Sequence, residues 1–256
     1  MAAIDGFSDG DKSPFTGYST ETADRFYDVV ARAGERLGVT VEGLEHLPEG
    51  RALLVSNHAF GWDVAFAVAA IRREAGRTVW PLGEHAWWRF PYLRRLASAV
   101  GVVDGTPDNA DALLERDELV LVLPGGLREA VKPRELRYRL LWGHRYGFVR
   151  AAMRNHAPIV PLASLGADEV FELVGDAYAR GERWLHARVP VPRLAHVLRI
   201  PRRARGLKYV LGEPITPTAL PGEATEAAER RIRREVEGAL HDLFEAELAA
   251  RAGIEL

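Results

Sequence analysis

ELVLVL (Glu118–Leu123) runs directly into PGGLREA (Pro124–Ala130). An unbroken aliphatic run of this length is too short for a helix and rich in strand formers. It is the pattern of a strand buried on both faces, as in a parallel sheet with helices on each side. A proline and two glycines then stop the strand and turn the chain. Two glycines also let a backbone approach a ligand closely and leave amide groups to donate, and Arg128 could grip an anion with its forked guanidinium. An ordinary β-to-α turn with a surface ion pair would look the same.

Working outward, the neighbouring segments supply the helices and further strands. Phe26, Val29, Val30, Ala33 and Leu37 recur at helical spacing over Arg25–Leu37. Val39–Leu47 alternates like a strand, and RALLVSN (Arg51–Asn57) is a short apolar run closed by His58 and Gly61. Helices are expected over Asp63–Arg73, Tyr92–Ala99, Asp108–Arg116, Tyr146–His156 and Glu223–Ala252, the last a long charged one. Strands are expected at Thr78–Leu82, Gly101–Val103, Pro158–Ser164 and Leu207–Leu211. Strands separated by helices of this length imply an α/β fold in a single domain, with a mostly parallel central sheet flanked by helices. Residues 1–24 read as a polar, flexible leader and 25–256 as the domain.

Composition narrows the function. The chain has 256 residues, enough for a sizeable core, and its 27% charged content is that of a globular protein. A net charge of −2 argues against a nucleic-acid protein recognised by bulk charge. Without cysteine there can be no disulfide, thiolate metal site or cysteine nucleophile. The longest nearly apolar run, Ala59–Ile71, is too short to span a bilayer and carries Asp63, and the amino-terminal stretch lacks the pattern of a signal peptide. The chain also lacks a G-x-S-x-G elbow, a G-x-x-x-x-G-K-[ST] loop, a G-x-G-x-x-G turn and an H-E-x-x-H helix.

What remains is NHAFGWD (Asn57–Asp63). A histidine at the carboxyl end of a buried strand, five residues before an aspartate at a helix start, can form a hydrogen-bonded pair across the turn. The carboxylate would fix the imidazole tautomer and stabilise the imidazolium formed on proton abstraction. That is a base and its partner without a nucleophile, which suits a substrate hydroxyl as the attacking group. A histidine at a strand end is also often structural, and the pair alone does not decide between the two roles.

Taken together, these blocks resemble the glycerolipid acyltransferase superfamily, which contains lysophosphatidate and diacylglycerol-acyltransferase-like enzymes. The resemblance covers about Val39–Thr216. NHAFGWD resembles the family's N-H-x-x-x-x-D block, and PLGEHAWWRFPYLRRLASAVGVVDG its second. LPGGLREAV resembles the third, HAPIVPLASLG the fourth and LKYVLGEPITP a late G-x-P-I element. The resemblance implies a glycerol-3-phosphate-acyltransferase-like fold and transfer of a fatty acyl group from acyl-coenzyme A or acyl-carrier protein to a lipid hydroxyl. The acceptor would be lysophosphatidate or another lysophospholipid, or alternatively a neutral lipid alcohol. No metal or redox cofactor is expected. It casts His58 as general base and Asp63 as its partner, with Asn57, Pro124, Gly125, Gly126, Arg128 and Glu129 around the substrates. A non-catalytic lipid-binding module and a thioesterase-like hydrolase are the other classes the same blocks allow.

Two departures bear on the acceptor. Lysophosphatidate acyltransferases typically end the second block with an arginine, where this chain has Gly105 after Val103-Asp104. Their third block usually reads F-P-E-G-T-R, whereas Gly125 stands here in place of the glutamate and Glu129 comes later.

Charge is unevenly placed. Arg180–Lys208 holds nine basic residues and one acid, interleaved with apolar side chains, and His85–Arg95 mixes arginines with aromatics. Both mixtures suit docking on an anionic membrane surface. The arginines could equally be solvated or paired with acids, and Trp87, Trp88 and Phe90 could fill the core. The expected setting is the cytoplasm, peripherally on the inner face of the membrane.

Overall fold

Val55 of the second strand pairs with Val122 of the fifth, and around this pair a seven-stranded sheet is assembled. The computed structural model describes residues 13–59, 63–130, 132, 134–167 and 206–253. Its strands are β1 (Thr40–Glu42), β2 (Ala52–Ser56), β3 (Val79–Gly83), β4 (Val103–Asp104), β5 (Leu119–Val122), β6 (Ile159–Leu165) and β7 (Lys208–Leu211). They lie in the order β1-β7-β6-β2-β5-β3-β4, and every pair is parallel except β6 with β7. The α-helices are α1 (Thr20–Leu37), α2 (Asp63–Ala75), α3 (Pro91–Ala99), α4 (Pro107–Leu114), α5 (Gly126–Ala130), α6 (Gly147–Arg154) and α7 (Thr225–Ala252).

The sheet is apolar on both faces because both are covered. Leu53 and Val55 of β2, with Val120 and Ile159, pack against α4, α6 and α7. Ala52 and Leu54, with Leu119, Leu121, Val160 and Leu162, face α1 and α2. Alternate residues therefore serve opposite cores, and the strand reads as continuously hydrophobic. In α7, Ile232, Val236, Leu240 and Phe244 repeat every four residues and are all buried. Each such side chain contributes roughly 1.5–3 kcal/mol by leaving water.

Three expectations are corrected. The first helix opens at Thr20, where Ser19 caps it by accepting from the Thr22 N–H at 3.2 Å. Phe15 and Tyr18 before it pack on Trp80, with ring centroids 4.9 and 4.7 Å away, so residues 13–24 belong to the domain rather than to a leader. The strand expected over Val39–Leu47 stops at Glu42, because Gly43 turns with a left-handed backbone and Leu44–His46 forms a single 3₁₀ turn. The strand expected at Gly101–Val103 forms instead as Val103–Asp104. Residues 1–12, 60–62 and most of the basic stretch Arg180–Lys208 lie outside the described residues.

Candidate active site at the carboxyl edge of the sheet

The parallel register sets out the site. Val55 pairs with Val122, Leu121 with Pro81, and Leu82 with Val103, which makes Val55, Val122, Leu82 and Val103 one row across four strands. His58, Gly125 and His85 each stand three residues beyond that row, at the carboxyl edge where ligands of open α/β sheets bind.

Asn57 fixes the end of β2. Its Oδ1 accepts from the Ser164 N–H at 2.8 Å, and its Nδ2 donates to the Ser164 carbonyl at 2.9 Å. The side chain thus continues the β2–β6 ladder past its last backbone pair, Ser56 with Leu162. Asn57 was expected to touch substrate. Fully buried, it engages both ends of its amide with β6 and locks the strand from which His58 emerges.

His58 is held by its backbone as well. Its N–H donates to Glu129 Oε1 at 2.7 Å, and Glu129 Oε2 accepts from the Leu141 N–H at 2.7 Å. Glu129 is fully buried. Burial and the charge of Lys132, itself buried, push the His58 imidazole down to about 4. At that value the ring carries no charge at pH 7 and has a free nitrogen to accept a proton, although its basicity is reduced. Asp63 is the first residue of α2, as its position in the sequence predicts.

The Pro124-Gly125 turn lies directly against these groups. A Cβ at Gly125 would fall on the carboxylate and Cβ of Glu129. Gly126 turns with φ +53°, and its N–H donates to the Leu123 carbonyl at 3.0 Å. That amide closes the turn. Arg145 Nη1 donates to the Pro124 carbonyl at 2.6 Å, so a guanidinium sits over the turn. Arg128 is exposed on α5.

Lys132, Leu141, Arg145 and Ser164 belong to the site and were not singled out by sequence. Two of them act through backbone groups, which carry no residue signature. Arg145 lies twenty residues after Gly125 with no motif linking them. Its segment is pinned to the core: Tyr138 OH accepts from the Gly166 N–H at 3.1 Å, and Trp142 packs edge-on against Phe148 at 5.3 Å.

His85 differs from His58 in every respect but register. Its side chain is 71% exposed, and Nδ1 lies 2.9 Å from Asp104 Oδ2, to which it donates. Beyond it the chain presents apolar groups to solvent. Of seven large hydrophobic side chains left exposed among the described residues, four lie in α3 and the residue before it: Phe90, Tyr92, Leu93 and Leu96. Trp87 and Trp88 are half-buried, and the structure does not put Phe90 in the core. Among the described residues no helix is long and apolar enough to cross a membrane.

The chain is similar to known proteins in sequence and in fold. A family model described as Acyltransferase matches residues 38–165. A mouse protein named "DGAT1/2-independent enzyme synthesizing storage lipids" is 30% identical over 179 residues, covering 70% of this chain and 53% of its own. Its human counterpart is 31% identical over 180 residues, covering 70% and 54%. The chain thus spans about half the length of these curated relatives. The crystal structure of the 1-acyl-sn-glycerophosphate (LPA) acyltransferase PlsC from Thermotoga maritima superposes with a TM-score of 0.57 at 16% identity, covering 86% of this chain and 79% of that one. That likeness shows the shared fold: a mostly parallel sheet flanked by helices. With its matched blocks and its edge-mounted histidine, the chain belongs to the glycerolipid acyltransferase superfamily.

Proposed function

We propose that this chain transfers a fatty acyl group from an acyl-coenzyme A or acyl-carrier-protein thioester to a hydroxyl of a neutral glycerolipid or related lipid alcohol, with His58 as general base. The observation that carries the proposal is a histidine at the carboxyl edge of the sheet, fixed on one side by the Asn57–Ser164 clamp and on the other by Glu129. In the first step the imidazole takes the acceptor's hydroxyl proton as the oxygen attacks the thioester carbonyl. The C–S bond then breaks, and the imidazolium returns the proton to the departing thiolate. The aspartate at the start of α2, Asp63, would stabilise that imidazolium.

A neutral acceptor is favoured over a phosphorylated one at one position in particular. Where the resemblance places an arginine, Gly105 stands so close to β3 that a Cβ would lie 2.7 Å from the Gly83 carbonyl oxygen. A side chain there would have to displace backbone. The relatives named for storage lipids point the same way. Arg128 and Arg145 keep a phosphate in view, so the deciding assay is a panel. Lysophosphatidate, other lysophospholipids, mono- and diacylglycerol and a long-chain alcohol would each be offered with palmitoyl-coenzyme A. Transfer to mono- or diacylglycerol exceeding transfer to lysophosphatidate is expected; the reverse order would assign a phosphorylated acceptor.

The chain reaches its lipid through α3. Tyr92 and Leu96 are 90% and 62% exposed, and Arg89 and Arg95 beside them are exposed as well. Aromatic and aliphatic groups that can enter the interface, next to cations for anionic headgroups, form a membrane-docking surface. It follows β3 at the same sheet edge as His58. Co-sedimentation with phosphatidylglycerol vesicles, weakening as salt rises, is the check, and no binding at low salt would exclude the surface.

A further inference from the structure

We infer that Glu129 is a positioning residue for His58, and that Gly125 is glycine to admit its carboxylate; this deepens the proposal that His58 is the base. The space a side chain at 125 would take is filled from one helical turn later by the side chain of Glu129. From there the carboxylate accepts two N–H groups from different parts of the chain, His58 at the end of β2 and Leu141 beside the core residue Trp142. One fully buried group thus ties the end of β2 to the segment that also places Arg145 over the Pro124 turn.

The chemistry of this bridge is specific to a carboxylate. Both of its oxygens accept, and both partners are donors. An amide of the same size has one accepting oxygen and one NH₂ group. Whichever way a glutamine at 129 is turned, its NH₂ confronts either the His58 or the Leu141 N–H, leaving one donor unpaired and pushing that segment away. An aspartate is one methylene short. Displacing a reacting group by about 1 Å can cost on the order of 10²-fold in rate, so the effect belongs in kcat more than in thioester binding.

The test compares Glu129→Gln with the reciprocal pair Gly125→Glu/Glu129→Gly. The pair delivers a carboxylate to the same space from position 125, and it uses glycine at 129 because even the Glu129 Cβ overlaps a Cβ at 125. Glu129→Gln is expected to lower kcat by about 10- to 100-fold, with KM for the thioester within about twofold. Its melting temperature should stay within a few degrees. The reciprocal pair is expected to regain at least tenfold over Glu129→Gly alone. A Glu129→Gln enzyme with wild-type kcat overturns the inference. So does a reciprocal pair that folds without regaining activity, or failure of both the glutamine variant and the pair to fold, which would give Glu129 a purely stabilising role. His58→Ala run in parallel separates the two proposals. If it keeps full transfer, the assignment of the base fails; if it is inactive while Glu129→Gln is normal, only the positioning role fails.

Discussion

His58 and His85 stand at the same height above the sheet, three residues past one row of paired strands, yet they are different chemical objects. His58 follows a strand in the middle of the sheet, with neighbours on both sides, and desolvation together with Lys132 pushes its imidazole down to about 4. His85 follows β3 near the sheet's edge and lies in solvent, donating to Asp104. Register places a residue at the working edge; what packs around it there decides what it can touch.

The largest effect that would break this comparison is His58→Ala. Transfer should fall by about 10³-fold, within the range general bases contribute, while circular dichroism stays that of the folded protein. Equal activity of the variant would remove the distinction between the two histidines altogether. If Asp63 partners His58 as proposed, Asp63→Asn should cost about 10²-fold in kcat, because the imidazolium would lose a stabilising charge.

The pH dependence sharpens the contrast. With the His58 imidazole held to about 4, kcat/KM should remain high well below the ordinary histidine range and fall only as pH drops towards 4. Stability follows with a definite sign. Between the usual histidine value and about 4, the unfolded chain binds a proton that the folded His58 does not. That contribution therefore destabilises the fold progressively as pH falls through the window and is absent above it. Denaturant unfolding of His58→Ala at pH 5 and pH 7 should differ less than that of the wild type. An equal or larger difference would show that the fold does not depress the His58 imidazole.

On the exposed side, replacing Tyr92 and Leu96 together by serine should lower affinity for anionic vesicles by about 30-fold. Two large side chains then no longer enter the interface, each contributing on the order of 1 kcal/mol or more. Turnover of a short-chain soluble thioester should not change. The smallest effect belongs to His85→Ala, expected to alter transfer by less than about fivefold, since an exposed polar contact of this kind contributes roughly 0–1 kcal/mol. A larger loss would bring His85 into the site.

Much of this was legible in the chain. ELVLVL predicts β5, which forms as Leu119–Val122, because a strand buried on both faces leaves no other home for four consecutive aliphatic residues. NHAFGWD places a histidine past a strand end and an aspartate at a helix start, and both backbone positions are found there. The antiparallel entry of β7 was not legible. Strand direction depends on how the chain returns, and KYVL (Lys208–Leu211) has the same side-chain pattern either way. Nor was the exchange between Gly125 and Glu129. A glycine and a glutamate four residues apart carry no sign that one fills the other's space.

The sequence by itself determined the sheet, the two apolar faces and the histidine at its edge, because those follow from hydrophobic periodicity and local turn chemistry. Only the tertiary structure decided that the surrounding protein and Lys132 hold the His58 imidazole below its ordinary range, that Asn57 clamps β2 to β6, and that a buried carboxylate joins His58 to Leu141. Those properties depend on desolvation and on backbone donors brought together from distant parts of the chain, and neither is written in the identity of any single residue.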